Sequence, residues 1–569
     1  MQSQTIARNP IDPEIVGLAT EHGNDPEAVL AVLQSLHARH GALDQDAIRD
    51  VARALRIPAS HAYGVATFYS MLATPVQPER TVRVCDGPAC WLRGAAGARH
   101  TVDAEAGPDL HVERTSCLGL CDCAPAALVG EQQVGPVESG AWRDARRPAP
   151  AYAERRPGEL RVLLARAGKI DPDQLETALA QGAYRGLGKA LTEPPENVIA
   201  ALDTAGLQGR GGAGFPAGRK MRFVAQAPRT PKYIVCNADE SEPLIFKDRV
   251  LIDNDPQQLL EGMALAGYGS GAHTGFIYIR GEYAAQAARL ERAIHQAEAA
   301  GWLGDNIQGT GFSFHIHVHR GAGAYICGEE TALLSSLGGD RGEPRVRPPY
   351  PPTFGYRGYP TLVNNVETYS SMPAIIANGA EWYRGLTTAA APGTKMYMLL
   401  GHVNRPGLFE APFGLTLRRI IDIYGGGMRP GSTFRLALTG GAAGTIVHEA
   451  LLDTPIDYSS SGKGISLGAG AFMVCDQTVS PVALLRELLY FFESESCGKC
   501  TPCRVGTHEA RVILDRLVAG QGRTGDVAEL KRLSDLLFNA SFCGLGQAVP
   551  IPMRSAMTNF ASDFAAAEH

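Results

Sequence analysis

Cys497-Gly498-Lys499-Cys500-Thr501-Pro502-Cys503-Arg504 places three thiols at i, i+3 and i+6. A fourth, Cys543, follows forty residues later in Ser541-Phe542-Cys543-Gly544-Leu545-Gly546. Thiolates three apart on a tight loop can wrap one face of a cubane cluster, and a remote thiolate can close its fourth corner. The pattern therefore predicts a [4Fe–4S] centre. Structural zinc more often uses two separated pairs of ligands; a zinc knot or idle thiols are the competing readings. Around the loop, from Val482 onward, Leu484, Leu485, Leu488, Leu489 and Phe492 keep helical spacing, so the thiols sit within a helical bundle.

The chain has 569 residues, enough for three or four domains with separate cores. Its formal charge of −6, from 53 Lys and Arg against 59 Asp and Glu, offers no basic surplus for nucleic acid. The first residues, Met1 to Arg8, carry no apolar signal core, and no apolar run approaches the ~18–20 residues of a membrane span. These features predict a cytoplasmic chain without a membrane span. In a reducing compartment its 12 cysteines stay free or bind metal rather than pair.

Residues 13–76 read as a helical bundle: Ile15, Leu18, Val29, Val32, Leu33 and Leu36 keep helical spacing, as do Ile48, Val51, Leu55 and Ile57. Within 77–145, two strand-like pieces, Thr81–Cys85 and Leu110–Arg114, each deliver a cysteine pair. These are Cys85 with Cys90, and Cys117 with Cys121. Four thiolates from two loops can hold a [2Fe–2S] cluster; zinc is the alternative. Cys123 would be a fifth thiol in a four-ligand set and is read as packing beside the site. Residues 146–177, rich at first in Arg, Pro and Ala, read as a linker.

The domain over 178–390 holds Gly209-Arg210-Gly211-Gly212-Ala213-Gly214-Phe215-Pro216, a G-x-G-x-x-G that follows a helix rather than a strand. It is not an ordinary Rossmann turn. Its backbone N–H groups, with Arg210, Arg219 and Lys220 nearby, suit a phosphate. The strand-like Tyr233–Cys236 ends in Asn237, Asp239, Glu240 and Glu242. A second strand-like run, Ala324–Cys327, ends in Gly328, Glu329 and Glu330. Strand, polar turn, helix thus appears twice and argues an α/β domain with its ligand at the strand ends. His315, His317 and His319 alternate on one strand face and are read as a solvated face rather than a metal site. Residues 391–472 read as a small α+β insert with no chemistry of its own, and 473–569 as the helical cluster domain.

These motifs, in this order, together with Gly321–Thr331, Asn364-Asn365-Val366-Glu367-Thr368 and Glu495–Arg504, resemble the NADH-oxidising flavoprotein subunit of respiratory complex I. Residues 13–145 resemble its small [2Fe–2S] partner subunit, here fused. The resemblance implies a multidomain α/β and α+β chain: a helical bundle, a thioredoxin-like [2Fe–2S] domain, a Rossmann-like FMN/NAD domain, a β-grasp-like insert and a helical [4Fe–4S] domain. It implies that Gly209, Gly211, Lys220, Asn237, Asp239, Gly328, Glu329, Asn364, Asn365 and Thr368 serve FMN. Phe215 and Phe223 would stack on NAD(H), while Glu240, Glu242 and Glu330 would meet the nicotinamide nucleotide. Four positions depart from the family pattern. Leu244-Ile245 replaces Gly-Thr, while Arg347 and Tyr350 replace Lys and Phe in the proline-rich loop, where a planar fork stands in for a point charge.

The resemblance further implies hydride exchange between NAD(H) and FMN, with no acid–base side chain required, and single-electron exchange with the clusters. Fusion of the modules resembles the diaphorase subunits of soluble NAD-dependent formate dehydrogenases and NAD-reducing hydrogenases more than complex I; the formate type is preferred, with the hydrogenase subunit and the complex I input module as alternatives. The expected partners are other subunits of a hetero-oligomeric dehydrogenase, including one that carries a substrate-oxidising metal.

Overall fold

A computed structural model of the chain describes residues 10–72, 80–107, 110–138, 140–143 and 152–568. The N-terminal helices Pro13–Glu21, Val29–His40, Gln45–Ala54 and Ala59–Ala66 bury Leu18, Val29, Val32, Leu33, Ile48 and Val51. Asp12 and Asp44 cap two of them by accepting the N–H of Glu14 and Ala47.

The next sheet comprises β1 (Arg80–Cys85), β2 (Leu110–Thr115), β3 (Ala127–Val129) and β4 (Gln132–Val134). Its order is β2-β1-β3-β4; β1 and β2 run parallel, and the other pairs are antiparallel. Val82, Val84, Val102, Val134 and Trp142 form a core of its own. Cys85 and Cys117 thus emerge at the carboxyl ends of two neighbouring strands.

The stretch read as linker is, from Tyr152 onward, fastened rather than loose. Glu410 accepts the N–H groups of Val162, Leu163 and Leu164 at 2.9, 3.1 and 3.0 Å. Arg156 reaches the carbonyls of Arg405, Pro406 and Tyr424. A segment with this many buried partners packs as part of a domain.

The central sheet is wholly parallel, in the order β7-β6-β5-β8, from β5 (Tyr233–Ala238), β6 (Thr274–Ile279), β7 (His315–Arg320) and β8 (Thr361–Asn365). All four strands end on one side, where Asn237, Arg280, Gly321 and Asn365 meet. The expected strand at Ala324–Cys327 is instead a 3₁₀ turn, Tyr325–Gly328. The glycines before it turn the chain away from the sheet: Gly323 sits at φ +79°, and the carbonyls of Ala322 and Gly323 bond the N–H groups of Met71 and Ser70 in the bundle. The histidines do alternate along edge strand β7, but their face is not simply solvated. His319 stacks on Tyr278 at 5.3 Å, and burial pushes its imidazole down to about 4.

The insert is a mixed five-stranded sheet, β10-β9-β13-β11-β12, from β9 (Thr394–Gly401), β10 (Gly407–Pro412), β11 (Phe434–Thr439), β12 (Thr445–Val447) and β13 (Ala471–Asp476). β9 and β13 are parallel, as in a β-grasp arrangement. Its core stacks Phe409 on Tyr424 at 4.2 Å. The chain closes with helices Pro481–Ser494, Thr501–Val518, Asp526–Ala540 and Pro550–Asn559. Among the described residues no helix is long and apolar enough to cross a membrane.

Candidate flavin, nucleotide and cluster sites

The glycine loop joins helix Glu196–Ala205 to helix Ala217–Gln226 and is closed by Gly209 N–H to Phe215 O at 2.8 Å. At Gly214 it leaves no room for a side chain. A Cβ on Gly214, already at φ +68°, would stand 2.6 Å from the Tyr458 ring, and one on Gly211 would touch Asn365. Beyond it Phe215 and Phe223 are 44% and 42% exposed, and the Arg219 guanidinium lies 6.0 and 5.6 Å from their ring centres. Two bare aromatic faces beside a backbone cradle suit a planar base next to a phosphate.

The strand ends supply the facing wall. Asn237 Nδ2 donates to Gly328 O at 2.8 Å, and Ser241 Oγ to Asp239 Oδ2 at 2.9 Å. Lys220 Nζ donates to Val363 O at 2.7 Å and pairs with Glu330 at 2.9 Å. Thr368 Oγ1 accepts from Arg210 N at 2.9 Å, fixing the loop to helix Val366–Asn378. Glu329 caps helix Glu330–Leu337 with one oxygen, which accepts from Thr331 and Ala332. Its other oxygen is buried without a hydrogen bond, as are Asn364 Nδ2 and Gln208 Oε1. Buried polar atoms rarely stay unpaired. Glu329 Oε1 meets only the Arg347 guanidinium and Asn364 Nδ2 is unbonded at the end of β8, so the strand-end wall keeps hydrogen-bonding edges for a polar ligand such as FMN. Arg347 reaches both acids, 3.5 Å from Glu329 and 3.6 Å from Glu330, while Tyr350 is 55% exposed at the rim.

Two glutamates differ in what they do. Glu242 accepts from Ala443 N at 2.8 Å and from the Tyr325 hydroxyl. Glu240, expected to meet the nicotinamide nucleotide, engages the chain itself. Its carboxylate turns inward, 5% exposed, and takes the N–H groups of Asp248 and Arg249 at 2.8 and 3.1 Å. These are the first donors of helix Lys247–Asn254, where an acceptor is most needed.

Burial raises the carboxyls of Asp239 and Glu240 to about 8 and that of Glu242 to about 7. Folding therefore holds protons that the unfolded chain, titrating near 4, would release. The stability they contribute is complete below that range and is lost as pH rises towards 8. The ligand-free chain is accordingly expected to melt several degrees lower at pH 8 than at pH 5.5. His319 and Lys395, lowered by burial to about 4 and about 7, release protons on folding and oppose the trend, but the three carboxyls outnumber them. Calorimetry across that range checks the sign; a melting temperature that rises with pH refutes it.

Leu244 explains one departure from the family pattern. It holds φ +77° with its side chain fully buried, and its N–H bonds the Cys121 sulfur. A left-handed Leu costs about 1–2 kcal/mol, while deleting a buried Leu side chain costs about 2–5 kcal/mol. The cavity outweighs the relieved strain, so Leu244→Gly is expected to destabilise by about 1–3 kcal/mol, measured by denaturant unfolding.

The four N-terminal thiols are all buried and adjacent. Cys117 Sγ lies 3.4 Å from Cys121 Sγ, and Cys85 touches both Cys117 and Cys90. Hydrogen bonds from Cys121 and Cys85 pull the Cys117 thiol well down, helped by Arg280 and the N–H of Gly119. That favours the thiolate at Cys117, while the same thiol contacts and burial push Cys85 and Cys121 well up. Cys123 is half-buried beside them. In the C-terminal domain Cys497, Cys500, Cys503 and Cys543 line one small cavity, walled otherwise by Ile326, Pro344, Phe542 and Leu545 among others. Four thiols around a largely apolar hollow fit a cubane cluster. Among the described residues no three His, Cys, Asp or Glu side chains converge as ligands of a single ion.

Several residues that join these sites have no local sequence signal. Arg280 NH1 donates to Glu240 O at 2.7 Å and its NH2 to Cys117 O at 2.6 Å. Arg249 pairs with Asp122 at 2.6 Å and bonds Gly119 O. Glu495, two residues before Cys497, accepts from Tyr325 N at 2.9 Å and touches Ser116, beside Cys117. Only Arg280 stood where a strand-end rule could have found it.

Comparison with known proteins agrees with this layout. Residues 202–374 match the Nuo51 FMN-binding domain, 483–567 the NADH-ubiquinone oxidoreductase-F iron-sulfur binding region, 16–144 the thioredoxin-like [2Fe-2S] ferredoxin and 396–446 the SLBB domain. The chain is 44% identical over 407 residues to the F 2 subunit of NADH-quinone oxidoreductase from Rhizobium meliloti (strain 1021), covering 71% of this chain and 97% of that one. It is 44% identical to the NADP-reducing hydrogenase subunit HndC of Solidesulfovibrio fructosivorans, covering 72% and 83%. A solved NAD+-reducing [NiFe]-hydrogenase chain in the H2-reduced state superposes with a TM-score of 0.83 at 32% identity. The match covers 96% of this chain and 93% of that one. An FMN domain, a [4Fe–4S] region and a [2Fe–2S] domain are thus fused in one flavin and iron–sulfur oxidoreductase, and the chain belongs to the family of NADH-quinone oxidoreductase F subunits.

Proposed function

We propose that this chain is the diaphorase subunit of a soluble NAD-dependent dehydrogenase, exchanging electrons between NAD(H) and a partner subunit that oxidises formate at its own metal site. The carrying observation is a cradle with two walls: the glycine loop with the exposed rings of Phe215 and Phe223 on one side, and on the other the strand ends, where Asn364 Nδ2 is buried without a hydrogen bond and the Tyr325 hydroxyl meets Glu242. FMN, when bound, supplies the conversion of a two-electron hydride into single electrons.

The residues divide the work. Gly209, Gly211, Lys220, Asn237, Asp239, Gly328, Glu329, Asn364, Asn365 and Thr368 hold the flavin. Phe215 and Phe223 stack on the dinucleotide, with Arg347 and Tyr350 at the rim. Glu242 and Glu330 orient the nicotinamide, while Glu240 shapes the loop beneath it. Holding both rings together makes the transfer effectively unimolecular, worth several kcal/mol. The acidic strand ends suit a ribose hydroxyl better than a 2′-phosphate, which favours NAD over NADP.

Formate as the terminal substrate rests on the fused layout and its resemblance. The full-length match to the [NiFe]-hydrogenase chain favours hydrogen as the second reading. A metal inventory of the native complex, captured through this chain, tests the choice. Molybdenum or tungsten beside iron supports formate, nickel moves the assignment to hydrogen, and zinc without iron overturns electron transfer itself.

A further inference from the structure

We propose that the small β-domain, read from sequence as having no chemistry of its own, forms a wall of the flavin pocket, and that Lys395 is its positioning residue. Three contacts carry the first half. The Tyr458 ring closes over Gly214 of the glycine loop, Ala443 N–H holds the Glu242 carboxylate at 2.8 Å, and Lys395 ion-pairs with Glu367 behind β8.

The last contact starts a fully buried chain of charges. Lys395 and Glu367 are 0% exposed, and Lys247 and Asp248 are 1% and 2%. Lys395 Nζ meets Glu367 Oε2, which also receives Lys247 Nζ at 3.2 Å. Glu367 Oε1 takes Met396 N–H at 3.0 Å, so the carboxylate grips both the side chain and the backbone of β9. Lys247 Nζ then donates to Asn365 Oδ1 at 2.8 Å, while Asn365 Nδ2 donates to Asp248 Oδ2 at 2.5 Å. A cation on its oxygen and an anion on its nitrogen fix which way the Asn365 carboxamide faces. Asn365 stands at the carboxyl end of β8, its Cβ against Gly211 of the cradle.

A simple weld between domains does not need charges here. Packed apolar side chains of similar volume often serve as well as a buried ion pair or better, because they avoid desolvation. A charged chain that ends on an amide of the ligand cradle does something apolar packing cannot: it sets the polarity of a hydrogen-bonding edge. Lys395 has no contact with the cavity itself and acts through Glu367 and Lys247.

The proposal rests on FMN binding at this cradle. The test uses full-length protein stripped of FMN and titrated with FMN by fluorescence quenching, followed by flavin potentiometry and iron analysis. Lys395→Met is expected to weaken FMN binding by about tenfold, the scale of one misplaced buried hydrogen bond. It should also shift the flavin midpoint potential while iron in both clusters stays at the wild-type level. Should that variant fail to fold, Lys395→Met/Glu367→Gln removes both charges together; it should melt like the wild type yet bind FMN weakly. Wild-type FMN affinity and potential in either folded variant overturn the proposal alone. Wild-type protein that takes up no FMN sinks the flavin reading and the proposal with it.

Discussion

Cys500→Ser is expected to lose about two-thirds of the iron, the share of a four-iron cluster beside a two-iron one. Cys500 occupies the N-cap of helix Thr501–Val518, and its three companions share one small hollow with it. A serine there offers a hard oxygen in place of a soft thiolate. Because cluster binding and local folding are coupled, the loop Cys497–Cys503 is expected to lose protection in hydrogen exchange as well. FMN retention and flavin reduction by NADH should survive, since the glycine cradle and strand ends lie in another domain. Electron delivery to an artificial acceptor that draws on the cluster should fall at least a hundredfold. Undiminished iron would remove Cys500 from the ligand set.

Arg249→Met is expected to be the most damaging change outside the cysteines. Its guanidinium is 0% exposed and joins domains far apart in sequence: it bonds Gly119 O and pairs with Asp122, 127 residues earlier, and with Asp253 at 3.5 Å. Its charge is held up by those two carboxylates. Removing one member of such a buried set leaves the others uncompensated, at a cost of about 3–5 kcal/mol. The loop carrying Cys117 and Cys121 depends on that grip. The expected signature is early proteolysis within residues 117–143 and broadening or loss of the [2Fe–2S] electron paramagnetic resonance signal. A variant with wild-type melting and an unchanged signal would show that Arg280 and Glu495 suffice to dock the domain.

Legibility in the sequence followed distance along the chain. The grouping of the thiols was readable because a few residues of spacing already place Cys497, Cys500 and Cys503 on one loop, and folding brings Cys543 to the same hollow. The parallel strand at Tyr233–Ala238 was readable from its apolar run ending in amides and acids. The run Ala324–Cys327 misled because four apolar residues look alike in a strand and in a buried turn. Only the backbone bonds to Ser70 and Met71, contributed by a different domain, decide between them. Glu240 was correctly placed at a strand end, but its side chain answers to the N–H groups of Asp248 and Arg249, a demand that appears only once the helix begins. The role of the insert was invisible for the same reason: Lys395 and Ala443 look like ordinary residues until folding brings Glu367 and Glu242 to them.

The docking of the N-terminal quarter has a consequence for how this molecule is wired as a polymer. Arg249, Arg280 and Glu495 hold the [2Fe–2S] domain by side-chain contacts that do not depend on the peptide connecting residues 143 and 152. A covalent tether chiefly supplies a local concentration, of millimolar order for short flexible spans. Where the docked faces already bind tightly, that concentration governs how quickly the two parts find each other after synthesis rather than whether they remain together. One gene or two could therefore encode the same electron path, and a chain nicked between these residues should behave as a stable pair.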